Sequence, residues 1–539
     1  MLFRAIAAGL LCTVRCSSAF AQKDLKHVVS ALSAQLSDEA SITFPGGVDW
    51  DTLQLRASSP RISPHYSVVV QVATESDVQA TVALANRFNI PFLAISGAHG
   101  WTKSLNKLPY GIQINMRKLN TTTLKQDGKT AMVGGGTMQY EITRALFVKG
   151  KYAGEFKYAT FFLIKTQLIT SVPVTGVCEC VSVAGPLLGG GHSLLQSQYG
   201  YSLDGLVSAR LVVASGEIVE ASRTENADLF WALQGAGHNF GIVTSLELKT
   251  HDISSNWTVY SLIYPSEKLE SLFSLLNDFE GPSMKRPAKL ALTGVFVKLP
   301  DVDPVNVGRQ LLTLSSFIFI NLTPTQPVIA YTVAYEGTQT EVEPYAAYFK
   351  ALGPIATTVS TDVKYVDLYT VTGSSIDSHV CSINENIAGA GVTLPAWDLM
   401  GLRKAFTIFA QVTADARFST AITLLENYGM QAVRAVDPAS TALAPEEREN
   451  PILASPALWW TGDDKQTAKD ADAYTRAIRD ALYTGFDNGG EKRHCYVNYA
   501  NGDEPKAELY GYDARLAKLT KLKNEWDPKN SFKYYNPIV

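Results

Sequence analysis

From Ser67 to Ala73 the chain is a valine-rich run, β-branched and too short for a helix, which predicts a strand. Glu75-Ser76-Asp77 follows as a helix start, with apolar Val78, Val82, Leu84 and Ala85 spaced toward Phe88. Pro91 to Ile95 predicts a second strand, closed by Ser96-Gly97-Ala98-His99-Gly100. The result is a strand–helix–strand unit ending in a tight loop of small residues. Strand signals continue at Gly111 to Met116 and at Ala131 to Val133. Gly134-Gly135-Gly136 precedes a helix near Met138 to Phe147. Residues 176–250 form a second Gly-rich region, which ends in the alternating run Ile242 to Leu248. Beyond about residue 250, strands and longer helices alternate without Gly-rich loops, and this shift predicts a second domain. The last stretch, from Tyr496, carries a helix (Tyr512 to Asn524) and a tail.

Residues 154–173 break the pattern. They have no amphipathic period and sit between a helix and the next Gly-rich block. The N-terminus has Arg4, an apolar stretch Ala5 to Val14, and Ala19-Phe20-Ala21 before Gln22, the pattern of a cleaved secretory leader. The expected organisation is a leader at 1–21, an N-terminal segment at 22–63, and further units at 64–250, 251–495 and 496–539.

Composition narrows the function classes. With 46% hydrophobic and 18% charged residues over 539 positions, the chain is globular rather than disordered or fibrous. A net charge of -4 with no long basic run argues against a nucleic-acid partner. No segment predicts a membrane span. Sequons at Asn120, Asn256 and Asn321 agree with a secretory route. Outside the leader, four cysteines remain: Cys178, Cys180, Cys381 and Cys495. That is too few for a disulfide-built scaffold, and Cys178 and Cys180 lack zinc-ligand spacing, so no metal site is expected.

Four blocks carry candidate chemistry. Ser96 to Gly100 lets backbone N–H groups approach a pyrophosphate closely. By itself its histidine reads as a loop residue. Gly176-Val-Cys178-Glu-Cys180 leads to Gly189-Gly190-Gly191-His192, where bare backbone can lie against a flat ring. Gly235-Ala-Gly237-His-Asn-Phe-Gly241 mimics a dinucleotide fingerprint. Ile242-Val243 then starts a strand, not the helix that such a loop requires, which argues against NAD(P). Tyr496-Val-Asn498-Tyr499 offers a phenol as proton acceptor.

Together these blocks resemble the oxygen-dependent FAD-linked oxidoreductases, the berberine-bridge-enzyme-like members of the vanillyl-alcohol-oxidase superfamily, over about Tyr66 to Thr250 and from Tyr496 to the end. The resemblance implies an α+β fold: a two-part FAD-binding domain of the PCMH type, an α/β substrate domain with an antiparallel sheet, and a C-terminal segment returning to the FAD domain. It implies FAD attached through His99 and also through Cys178, with Cys180 as a rival thiol. The family loop reads Ser-Gly-Gly-His. Ala98 replaces one glycine, a change that is tolerable if that residue keeps φ below zero. The resemblance further implies cofactor contacts from Ser96, Gly97, Ala98, Gly100, Gly190, Gly191, His192, Gly241, Ile242, Val243, Tyr496 and Asn498. Tyr499 is the implied base, with its pKa lowered by the site.

Residues 154–173 are additional to the family pattern and are expected to be a retained intron of the gene or a surface insertion. The implied partners are a small-molecule substrate and O2. The expected activity is hydride removal from an intermediate of fungal secondary metabolism by a secreted protein. Carbohydrate oxidation giving H2O2 and a flavin-binding protein without turnover stand as alternatives.

Overall fold

The computed structural model describes residues 25–56, 61–149, 171–172, 174, 176–281, 284–299, 327–383, 385–486 and 492–539. The predicted leader, Asn321 and nearly all of the atypical segment 154–173 lie outside these residues.

The first sheet runs Ser41–Thr43, Val68–Gln71, Ile112–Asn115, Phe92–Ile95. Its last two pairings are parallel. Parallel neighbours need a crossover, and helix Glu75–Phe88 is part of it. Thr74 caps that helix by accepting from the Asp77 amide, and the Asp77 carboxylate accepts from Thr74 N. Val78, Val82 and Ala85 bury the face that the spacing predicted.

The second sheet is antiparallel: Thr122–Leu124, Thr130–Gly134, Ile242–Lys249, Leu206–Val212, Ile218–Ser222. Ile242–Lys249 is thus a strand, as its alternation indicated. Ala131, Leu211 and Leu246 from this sheet share one core with Leu233 and with Leu519, Leu522 and Ile538 of the C-terminus. The last residues therefore pack against the first half of the chain. Helix Arg515–Trp526 starts three residues later than expected. Its buried Lys523 donates to the Asn239 and Phe532 carbonyls and pairs with Asp527.

The third sheet is antiparallel and eight-stranded, with Ile452–Trp460 near one side and Ala356–Val363 at an edge. Helices Leu269–Glu280, Gln339–Ala351, Leu399–Ala414 and Lys465–Leu482 pack over one face. Phe273, Phe296, Phe349, Phe409 and Phe418 fill that layer. Strand side chains alternate between faces. Where Phe296, Leu425 and Leu458 enter the helix-covered core, Val295 and Val297, Leu424 and Glu426, and Ala457 and Trp459 point the opposite way. That second face is a wall of the site.

A buried ion pair links the second half of the chain to the Gly-rich region. Arg448 Nη2 meets Asp204 Oδ1 at 2.7 Å, with both side chains nearly inaccessible. Arg448→Ala strands a buried carboxylate. It is expected to lower unfolding free energy by about 3–5 kcal/mol in denaturant titration.

Candidate functional site

A cavity of about 900 Å³ lies between the first two sheets and the open face of the third. Ligand pockets span roughly 300–1,000 Å³, so this one accommodates a dinucleotide-sized group. Ser96, Gly97, Ala98, His99 and Gly100 line it, as do Cys178, His192, Gly241, Ile242 and Val243. Tyr496, Asn498 and Tyr499 line it from the C-terminal segment. Gly190 and Gly191 sit just behind the wall. A Cβ on Gly190 would meet the Tyr496 ring at 3.1 Å, and Gly191 N donates to Tyr496 Oη at 3.0 Å. Asn498 Nδ2 donates to the same phenol oxygen at 2.7 Å and to the Pro186 carbonyl at 2.9 Å. Asn120 and Asn256 do not line the cavity. Their amides donate to Glu141 and Asp362 respectively.

The loop at 96–100 follows directly from strand Phe92–Ile95. A Cβ on Gly97 would lie 2.8 Å from Ser182 N, so only glycine lets the two loops touch. Ala98 has φ +51°, so the condition for an unstrained alanine is not met. The tight turn into His99 needs a left-handed residue, and an L side chain there costs on the order of 1–2 kcal/mol. His99 Nε2 donates to the Val380 carbonyl at 3.2 Å. Burial lowers the imidazole pKa and favours the neutral ring.

Cys180 is bonded to Cys381, which removes it as a rival and leaves Cys178 as the free thiol in this loop. Burial pushes the Cys178 pKa up to about 12. The ligating atoms of His99, Cys178 and Cys180 lie within 4.8 Å of one another. Because Cys180 is spent in the bridge, the trio is not a metal site.

Tyr499 was expected to have a lowered pKa. The structure corrects this: burial raises it, and so does the neighbouring Glu426 carboxylate. Tyr499 Oη donates to Glu426 Oε2 at 3.1 Å, and Tyr428 Oη donates to Glu426 Oε1 at 2.5 Å. Burial raises the Glu426 pKa above the ordinary carboxylate range. Phenol and carboxylate both line the cavity, hydrogen-bonded to each other. Sequence reading missed Glu426. Its only signal was one acidic residue in the otherwise uncharged strand Ile422–Asn427.

A second buried carboxylate adjoins His192. Glu447 accepts from His192 Nε2 at 2.6 Å and from His494 Nε2 at 2.5 Å. Burial opposes its charge, yet the two imidazoles, His494 first, hold its pKa at about 2. Burial likewise opposes charge on His494, but Glu447 overcomes it and raises that pKa.

The cavity also tests the implied FAD. Ser96 Oγ and Arg56 Nε are buried without a partner at its wall, polar atoms that a bound phosphate or ring could satisfy. His99 supplies a neutral ring nitrogen and Cys178 a thiol. The bare backbone of Gly97 and Gly190 lets Ser182 and the Tyr496 ring close up against the cavity wall. The residues present fit a flavin dinucleotide.

Residues 66–161 match the FAD binding domain family, and residues 495–539 match the berberine and berberine-like family. The chain is 33% identical over 525 residues to the FAD-linked oxidoreductase chry5 of Gibberella zeae, covering 94% of each. It is 31% identical over 515 residues to the FAD-linked oxidoreductase chyH of Penicillium rubens, covering 94% of this chain and 93% of that one. In fold it is similar to a chitooligosaccharide oxidase, with TM-score 0.74, 20% identity, and 95% and 99% of the two chains covered. It is also similar to the glucooligosaccharide oxidase of Acremonium strictum, whose FAD is 6-S-cysteinyl and 8α-N1-histidyl, with TM-score 0.72, 18% identity, and 95% and 99% covered.

The Glu447 pair fixes a pH window. Its depressed acid contributes stability above the ordinary value near 4.3, and this is lost as pH falls toward about 2. The raised His494 contributes below its ordinary value near 6.5, and this is lost as pH rises through the folded value. Melting temperature is expected to peak between about pH 4.5 and 6.5 and to fall on both sides. Glu447→Gln should flatten both slopes in a scanning-fluorimetry series.

Proposed function

The chain belongs to the FAD-linked oxidoreductases that end in a berberine-like segment, and on that premise we propose that it oxidises an apolar, alcohol-bearing natural product with O2 as electron acceptor. Bound FAD supplies the hydride acceptor and returns the electrons to O2 as H2O2. The Tyr499–Glu426 pair beside the cavity carries this reading. As hydride leaves the substrate carbon, the hydroxyl proton passes to Tyr499 Oη and the Tyr499 proton passes to Glu426. Tyr499 thus acts as a neutral phenol, consistent with its raised pKa. Glu426 is a stronger base than an exposed carboxylate because burial disfavours its charge.

Covalent attachment through His99 and Cys178 is part of the proposal. It is supported by the neutral imidazole, the unbonded thiol and their closeness, and by the doubly linked flavin of the glucooligosaccharide oxidase. A secretory route is also part of it, supported by the leader-like N-terminus and by a disulfide, which persists in oxidising compartments.

The substrate class follows from the wall. Val295, Val297, Ile422, Leu424, Ala457 and Trp459 form an aliphatic and aromatic surface toward the relay. Such a surface suits a polycyclic or prenylated alcohol, and the fungal relatives fit a role in secondary metabolism. A carbohydrate reading draws on the hydroxyl-rich rim at Thr370, Thr372, Ser374, Ser375 and Ser378.

Peroxide release from the holoprotein across aryl, polyketide and oligosaccharide alcohols separates the two. The apolar alcohols are expected to give kcat/KM at least about tenfold above the sugars. Faster turnover of oligosaccharides would transfer the assignment to them. Tyr499→Phe should lower kcat by about 10²–10⁴-fold on the best substrate.

A further inference from the structure

The Cys180–Cys381 bridge joins positions 201 residues apart and lies against both proposed flavin anchors. Cys178 Sγ is 3.5 Å from one bridge sulfur and 3.7 Å from the other. Residue 380, next to Cys381, supplies the carbonyl that accepts from His99 Nε2. The segment is clamped further by Glu179: its amide donates to the Ser374 carbonyl at 3.0 Å, and its Oε2 accepts from Ile376 N at 2.8 Å.

We infer that the Cys180–Cys381 disulfide is a positioning strap for flavin attachment: it holds the Val380 carbonyl on His99, and it leaves Cys178 as the thiol that remains available. The inference rests on His99 and Cys178 being the anchors. A carbonyl only accepts, so the hydrogen of the neutral imidazole sits on Nε2 and the lone pair on Nδ1. Nδ1 is then the nitrogen whose lone pair can bond carbon. The strap therefore selects the tautomer.

It also protects the thiol. Thiol–disulfide exchange needs attack along the S–S axis. Cys178 is nearly equidistant from the two sulfurs, so it lies broadside to their bond and out of line for displacing either. The raised Cys178 pKa adds to that inertness. At His99 an imidazole hydrogen and one hydrogen of the flavin 8α-methyl group give way to an N–C bond, and at Cys178 the thiol hydrogen and the ring 6-hydrogen give way to an S–C bond. From each attachment two electrons and two protons leave on O2 as H2O2.

The test uses the full chain expressed with FAD, as wild type and as Cys180→Ala with Cys381→Ala. FAD per chain is measured after desalting, acid-stable flavin after precipitation, and the linkage site by peptide mass spectrometry. The bridge variant is expected to keep FAD but to lose about tenfold or more of its His99-linked flavin, with the remainder shifted toward Cys178. A general loss of packing would lower FAD binding without shifting that partition. Should the variant not fold, flavin-free wild type is given FAD with its bridge intact or reduced by a phosphine. Attachment at His99 should then slow about tenfold on reduction and recover on reoxidation. Wild-type flavin released by acid overturns anchors and strap together. Wild-type flavin retained, beside equal His99 linkage without the bridge, overturns the strap alone.

Discussion

One hydrogen bond, from Tyr499 Oη to Glu426 Oε2, ties the C-terminal turn to the eight-stranded sheet. It exists only because two remote parts of the chain converge. The return of the C-terminus onto the second sheet sets Tyr499, and the two-residue period of the strand sets Glu426. A shift of one residue in that strand would bury Glu426 under the helices and turn Leu425 to the cavity. The register with Leu290–Lys298 and Ile452–Trp460 on either side prevents this.

Two buried carboxylates near one cavity have opposite chemistries, and their partners decide which. Glu426 takes its hydrogen bonds from two phenols, which do not outweigh the cost of burying its charge, so its pKa rises. Glu447 sits between two imidazoles, which do outweigh it, so its pKa falls. Groups pushed apart in this way divide their roles. Glu426 can take a proton, while Glu447 stays ionised and braces His192 against the ring of Tyr496.

What was legible in the sequence was local. The valine run, the helix at 75–88 and the strand after Gly241 were written in short-range periodicity, and the small-residue loop marked His99. What escaped was set by contacts across the chain. No local pattern pairs Cys180 with Cys381 or brings Glu426 to Tyr499. The phenol pKa was misjudged because neither its burial nor the Glu426 carboxylate beside it shows in the local sequence. The left-handed φ of Ala98 was not legible either, because it belongs to the turn into His99 and not to the residue type.

If Glu426 receives the substrate proton through Tyr499, its protonation should control the reductive half-reaction. Anaerobic stopped-flow reduction of the bound flavin, followed across pH with the best alcohol, measures this directly. In wild type the rate should rise with pH through an acid limb above the ordinary carboxylate range. Glu426→Gln should hold the same flavin content, lose the limb and react about 10²-fold or more slowly. A Glu426→Gln enzyme that keeps the wild-type rate and limb would contradict the account.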